Sequence, residues 1–255
     1  MRVGVAQTDI VWNDLEANLT TCRRMVGEAR GADLLVFPEM FTSGFSLLTG
    51  GEAKETALGT RAWLEGEARR SGIALTGSFP WSTDPSYANP LNHCVVAGPQ
   101  GTLAEYSKVH LFNFGCEGQQ YQPGNNTVVF RHAGFRIAPL ICYDLRFPVP
   151  FSRLAPQVDL FVVMANWPVT RQAHWRALLI ARALENQAYV VGVNRVGEGG
   201  GLRYEGGSLV VAPDGEILAE LGAEAELRLV ELDAARAARY RETFPVLKDR
   251  RPIDA

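Results

Sequence analysis

Cysteine, histidine and methionine are scarce in this 255-residue chain, at four residues each, and charge is nearly balanced, with 25 basic against 28 acidic residues. Cys22, Cys94, Cys116 and Cys142 lie far apart with no CxxC pair. That argues against a zinc knuckle and, in a reducing compartment, against disulfides. Any cysteine with a chemical role would act alone. A net charge of -3 without a basic stripe or acidic tail offers no footprint for nucleic acid or a membrane surface. No apolar run nears the roughly 20 residues of a membrane span. The start, MRVGVAQTDI, lacks the charged lead and apolar core of a signal peptide, so a cytoplasmic location is expected. Gly197-Glu-Gly-Gly-Gly201 has no following Lys-Ser/Thr and no complete GxGxxG exists, which disfavours a nucleotide-binding protein and leaves a flexible glycine loop as the expectation. Small-molecule chemistry remains.

At 47% hydrophobic the chain can bury a sizeable core, and no linker or low-complexity tract divides it, so one domain over residues 1–255 is expected. RVGVAQT reads as a strand, and Asn13 with Glu16 three residues on reads as a capping box opening a helix to about Arg30. DLLVFPE and IALTGSF are further strands, with a helix over residues 60–71 between them. Hairpins are expected at Pro99-Gln-Gly101, at Ala133-Gly134 and around Pro213-Asp-Gly215. DLFVVMANW and AYVVGVNRVG read as strands, ELRLVELD as the last strand before a short helix. Between the first two, Trp175, Leu178, Leu179 and Leu184 recur at helical spacing. Helices alternate with strands while hairpins interrupt, which predicts an α/β fold with two mixed sheets between helical layers.

Several apolar strands end in a polar residue: DLLVFP before Glu39, RIAPLI before Cys142, DLFVVMA before Asn166, AYVVGV before Asn194, and TLAEYS before Lys108. In α/β sheets, binding and catalytic groups gather beyond the carboxyl ends of strands. Singly, each residue has an ordinary explanation, Cys142 as a packed thiol, Glu39 as a turn cap, Lys108 as a solvated strand end. Together they form a set for attack on an acyl carbon. A lysine ammonium beside a thiol favours the thiolate and is expected to bring its pKa from about 8.5 toward neutrality, and a carboxylate can take or return a proton. His110 and His174 sit at no strand end and read as surface or structural groups. Cys22 and Cys94 read as packing residues.

The motifs LLVFPEMFTSGF, YSKVHLF, EGQQYQPG, PLICYDLRFP, ANWP and RALENQAYVVGVNR, in this order along nearly the whole chain, resemble the nitrilase (carbon-nitrogen hydrolase) superfamily. The resemblance implies an α-β-β-α four-layer sandwich that forms homodimers. It places the catalytic triad on Glu39, Lys108 and Cys142 and a supporting glutamate on Glu117, with no metal or cofactor. It implies that Cys142 attacks an amide carbon, with the oxyanion held by Lys108 and the Tyr143 backbone N–H. CYDLRFP, EMFTSGF and ANWP most resemble the bacterial omega-amidase branch, which deamidates short dicarboxylate monoamides such as 2-oxoglutaramate. Phe45, Tyr143 and Trp167 are candidates to wall the substrate pocket, and Arg146, Arg171 and Arg195 to meet a distal carboxylate. Asp144 and Arg146 are expected to hold the turn after the cysteine. Alternatives are a same-fold amidase for deaminated glutathione or N-carbamoyl amides, and a catalytically silent binding protein.

Overall fold

The structure, a computed structural model, describes residues 1–251. Its first half runs β1 (Arg2–Gln7), α1 (Leu15–Glu28), β2 (Leu34–Val36), α2 (Gly50–Ser71), β3 (Ala74–Trp81), β4 (Leu91–Gly98), β5 (Gly101–Ser107) and the short α3 (Glu117–Gln120). The second half runs β6 (Phe130–His132), β7 (Phe135–Ile141), α4 (Pro148–Leu154), β8 (Leu160–Ala165), α5 (Gln172–Asn186) and β9 (Tyr189–Asn194). It closes with β10 (Val196–Gly199), β11 (Leu202–Glu205), β12 (Leu209–Val211), β13 (Ile217–Glu220), β14 (Glu226–Glu231) and α6 (Ala234–Thr243).

Two six-stranded sheets result, ordered β14-β1-β2-β3-β4-β5 and β13-β12-β9-β8-β7-β6. Both are mixed: β1-β2-β3 and β7-β8-β9 are parallel, and their outer neighbours are antiparallel. Alternate residues of the first sheet serve different layers, as the two-residue period of a strand requires. Val3, Val5, Leu34 and Val36 join a core shared with Ile137, Leu140 and Val163 of the second sheet. Leu35, Phe37, Leu75 and Val95 instead pack under α1 and α2 on Leu19, Met25 and Leu64. On the far side, α5 lays Trp175, Leu179 and Ala183 against the second sheet. A Cβ on Gly192 of β9 would come within 2.5 Å of Leu179, so the missing side chain sets how closely α5 approaches. The order helix, sheet, sheet, helix is the expected four-layer sandwich.

Several local expectations are corrected. The cap of α1 is Asp14, whose Oδ1 accepts from Ala17 N at 3.0 Å. Asn13 takes φ +56 and donates its N–H to Ser43 O, so the chain still turns there and the helix starts one residue later. Helix α2 begins ten residues before the expected start at residue 60; the glycines of GGEAKETALG are poor helix formers and masked that first stretch. Leu184 is exposed rather than on the packed face of α5. Gly197–Gly201 is not a free loop: β10 and β11 pair from Val196↔Glu205 to Gly199↔Leu202, turning at Gly200 and Gly201. Both turn glycines have positive φ, which a glycine adopts without steric cost. Among the described residues, no helix is long and apolar enough to cross a membrane.

Candidate active site

The site forms along the edge where the two sheets' strand ends meet. Glu39 lies just past β2, and its loop is stitched to β3 by Phe37 N to Thr76 O at 2.7 Å and Phe41 N to Ser78 O at 3.2 Å. Gly77 makes this possible, because a Cβ there would come within 2.5 Å of the Phe41 ring. Met40, with φ +46, turns the chain away directly after Glu39, and its N–H is held by Ser78 Oγ at 3.0 Å. Lys108 follows β5, anchored by its N–H on Asn92 O at 2.9 Å. Cys142 follows β7 at φ +44 and opens a 3-10 turn, Cys142–Arg146. Such backbone costs on the order of 1–3 kcal/mol for a non-glycine residue, so the rest of the structure holds the thiol there against strain.

Asp144 supplies part of that hold. Its buried carboxylate accepts from Tyr106 OH at 2.6 Å, Ile141 N at 3.0 Å, His110 N at 2.9 Å and His110 Nδ1 at 2.9 Å. One side chain thus ties the cysteine turn to the segment that follows Lys108. His110 is the structural group expected, its ring stacked on Phe147 at 3.9 Å. The Arg146 guanidinium lies over the Tyr143 ring of the same turn at 5.8 Å and over Trp167 at 4.7 Å.

The charged groups are buried and mutually satisfied. Lys108 Nζ lies 2.8 Å from Glu39 Oε1, 2.8 Å from Glu117 Oε2 and 3.1 Å from Glu117 Oε1. Asn92 Nδ2 donates to both carboxylates, at 2.8 Å to Glu39 and 3.0 Å to Glu117. Glu39 Oε2 accepts from Asn166 N at 2.9 Å, and Glu117 Oε2 from Phe112 N at 2.7 Å. Unpaired, such charges would cost several kcal/mol each to bury; here every carboxylate oxygen has a donor. Lys108 also lines the cleft, so its ammonium borders the space above the cluster. Glu117 is therefore no ordinary loop carboxylate. It opens α3 and is fully buried against Lys108.

Burial opposes the charge on Lys108, but the neighbouring Glu117 and Glu39 carboxylates outweigh it and push its pKa up, so the amine stays protonated. The Cys142 thiol corrects the sequence reading. Burial first, then the Glu39 charge, push its pKa well above the ordinary thiol value, and Lys108 offsets this only in part. One ammonium faces two carboxylates, so the sulfur rests as a neutral thiol and needs a base to act. Cys22 and Cys94 are packed thiols, the latter pushed up to about 12 chiefly by burial.

Above these groups opens a cleft of about 420 Å³. Phe45, Tyr143 and Trp167 all line it, as do Arg146, Arg171 and Tyr204. Arg195 does not. It is buried, with Nε on Val196 O at 3.0 Å and Nη2 on Ile10 O at 2.9 Å and Glu198 O at 3.0 Å. Asn194 acts from behind, accepting from Trp167 N at 2.8 Å and donating to Trp167 O at 2.9 Å. Among the described residues no cluster of three or more His, Cys, Asp or Glu is arranged to hold a metal.

Reading the sequence missed Asn92 and Tyr204. Asn92 is the second residue of β4, which runs antiparallel to β3, and this brings the start of β4 to the edge where its parallel neighbours end. A polar residue near the start of a largely apolar strand was the available signal. Tyr204 was hidden by the expectation of a glycine loop.

Residues 2–242 match the model of the carbon-nitrogen hydrolase family. Omega-amidase YafV of Escherichia coli K12 is 41% identical over 98% of this chain and 96% of its own. The 2-oxoglutaramate amidase of Bacillus subtilis 168 is 32% identical over 97% and 96%. A CN-hydrolase superfamily protein of Xanthomonas campestris, with an arsenic adduct in its active site, superposes with TM-score 0.91 at 35% identity, covering 100% of this chain and 98% of that one.

Proposed function

The chain belongs to the carbon-nitrogen hydrolase family, and on that premise we propose that it hydrolyses the terminal amide of short dicarboxylate monoamides, of which 2-oxoglutaramate is the type, releasing ammonia. The observation that carries this reading is the pair Arg146 and Arg171. Both line the cleft that holds Glu39, Lys108 and Cys142. Arg146 stacks over Trp167 at 4.7 Å, and Arg171 over Phe112 at 5.3 Å. Among the described residues neither meets a carboxylate, although 16 other arginine, lysine or histidine side chains do. Arg146 Nη2 has only the His174 ring, at 3.3 Å, as a side-chain hydrogen-bond partner; two guanidiniums without a carboxylate partner suit a substrate that brings its own. The relatives named for omega-amidase and 2-oxoglutaramate amidase activity support the same substrate class.

In the mechanism, Glu39 takes the Cys142 proton as sulfur attacks the amide carbon. Lys108 and the Tyr143 N–H hold the oxyanion. Glu39 returns the proton to nitrogen, the C–N bond breaks, and ammonia leaves a thioester on Cys142. Water, deprotonated by Glu39, then attacks the thioester; the acid departs and the thiol recovers its proton. Glu117 fixes the Lys108 ammonium, while Phe45, Tyr143 and Trp167 wall the acyl chain. The reading includes one catalytic domain, acting in the cytoplasm as a homodimer, for which a sedimentation measurement is the check.

Ammonia release from 2-oxoglutaramate, succinamate, an N-carbamoyl amino acid and deaminated glutathione tests the substrate class. Turnover of the first two is expected. Activity confined to either of the others would replace this reading with the corresponding amidase, and inactivity on all four would favour a silent binding protein.

A further inference from the structure

We propose that Tyr204, carried on the β10–β11 ribbon, reads the substrate's 2-oxo group: its hydroxyl donates a hydrogen bond to the keto oxygen between the scissile amide and the carboxylate. The inference rests on the dicarboxylate-monoamide reading above. Leu202 and Tyr204 are two residues apart on β11 and both line the cleft, whereas the intervening Arg203 pairs with Glu205 at 2.9 Å. The two-residue period of the strand thus presents one side of the ribbon to substrate.

The Tyr204 ring is buried and seated on a fixed support. The Arg195 guanidinium lies 4.6 Å from its centroid and is locked by the three carbonyls of Val196, Ile10 and Glu198. Trp12 lies close against the turn at Gly199 and Gly200, so the ribbon is braced from the first sheet's side. Few rotamers remain to be lost on binding, which makes Tyr204 a preorganised donor.

Among the described residues the Tyr204 hydroxyl makes no hydrogen bond to protein, unlike the buried phenols of Tyr106, Tyr121 and Tyr189. It lines the same cleft as Cys142, Arg146 and Arg171, within which the amide and the carboxylate of a bound monoamide would both lie. Burial, partly offset by Arg195, pushes its pKa up to about 12, so it stays a neutral donor across the working pH range. A monoamide lying with its amide on Cys142 and its carboxylate on Arg146 and Arg171 offers a carbonyl acceptor between those ends only when it is an oxo acid. The keto oxygen is the partner that the unused hydroxyl fits.

The test compares 2-oxoglutaramate with glutaramate, which lacks only the keto oxygen, in wild type and in Tyr204→Phe, which keeps the ring over Arg195. A neutral hydrogen bond corresponds to a preference of roughly 5- to 10-fold. Wild type is expected to favour the oxo substrate in kcat/KM by about that factor, and the ratio should fall toward one in Tyr204→Phe. A wild-type ratio near one, or equal scaling of both substrates in the variant, would overturn the assignment to the keto group while leaving the substrate class intact. Failure of wild type on both monoamides would instead bring down the substrate class, and this inference with it.

Discussion

The two large sheets have the same plan and opposite chemical content. Each has one antiparallel edge strand, three parallel strands and two more antiparallel strands, in the order β14-β1-β2-β3-β4-β5 and β6-β7-β8-β9-β12-β13. On this correspondence β2 matches β8, and the residues just beyond them, Glu39 and Asn166, touch each other. Asn166 N donates to Glu39 Oε2, and its side-chain amide donates to the Glu39 carbonyl. The first sheet's edge bears the charges, Glu39 and Lys108, with Glu117 beyond. The second bears neutral groups, Cys142, Asn166 and Asn194. The Glu39–Lys108–Glu117 cluster and the Cys142 thiol are carried by different sheets, as on two frames, and meet where the strand ends of the two come together. This explains a neutral resting thiol: it is buried and faces a cluster with more carboxylate than ammonium.

The comparison is broken most severely by Glu39→Gln, which keeps the shape of the charged edge and removes its base. Ammonia release should fall by about 100- to 10,000-fold in kcat, with circular dichroism unchanged. Next is Asn166→Ala, which cuts a link between the frames without touching a charge. Misplacing reacting groups by about 1 Å costs on the order of 100-fold, so a kcat loss of about 10- to 100-fold is expected with little change in KM. Smaller still is Arg171→Ala. A charge-assisted hydrogen bond of about 1.5–3 kcal/mol corresponds to a KM increase of roughly 10- to 100-fold for a carboxylate-bearing amide, against almost none for a neutral amide such as butyramide.

The smallest expected effect is on stability. His93 of β4 is buried, and burial pushes its pKa below the ordinary value, with Glu105 offsetting this in part. The unfolded chain then binds more protons than the folded one below about pH 6.5. Stability from this group is therefore complete above that value and lost as pH falls through it toward the folded pKa. Hydrogen exchange should show β4 and β5 losing protection before β7 to β9 when the pH is lowered, and His93→Gln should remove the difference.

Much of this division was legible in the sequence, for a physical reason. Glu39, Lys108 and Cys142 each terminate an apolar strand, and an abrupt polar residue after a buried run marks a sheet edge in a one-dimensional string. What stayed hidden depends on strands crossing between frames. Glu39 and Asn166 are 127 residues apart, and no local pattern announces their pairing. Asn92 escaped because its strand runs the other way, so its start, not its end, reaches the edge. Tyr204 escaped because glycines that form a tight ribbon turn look, by composition, like a flexible loop. The sign of the Cys142 shift escaped too, since counting one lysine near one thiol omits burial and a second carboxylate. Arg195 was legible as a strand-end arginine, but its burial beneath Tyr204 is a tertiary fact.

The account's central claim is that a neutral thiol on one frame is deprotonated by a carboxylate on the other and carries the acyl group. Acid-quenched mass spectrometry of the enzyme during turnover of 2-oxoglutaramate tests it most directly. The predicted result is a peptide containing Cys142 heavier by the acyl group, formed in wild type and far more slowly in Glu39→Gln. Continued ammonia release with Cys142 unmodified throughout, or undiminished in Cys142→Ala, would contradict it.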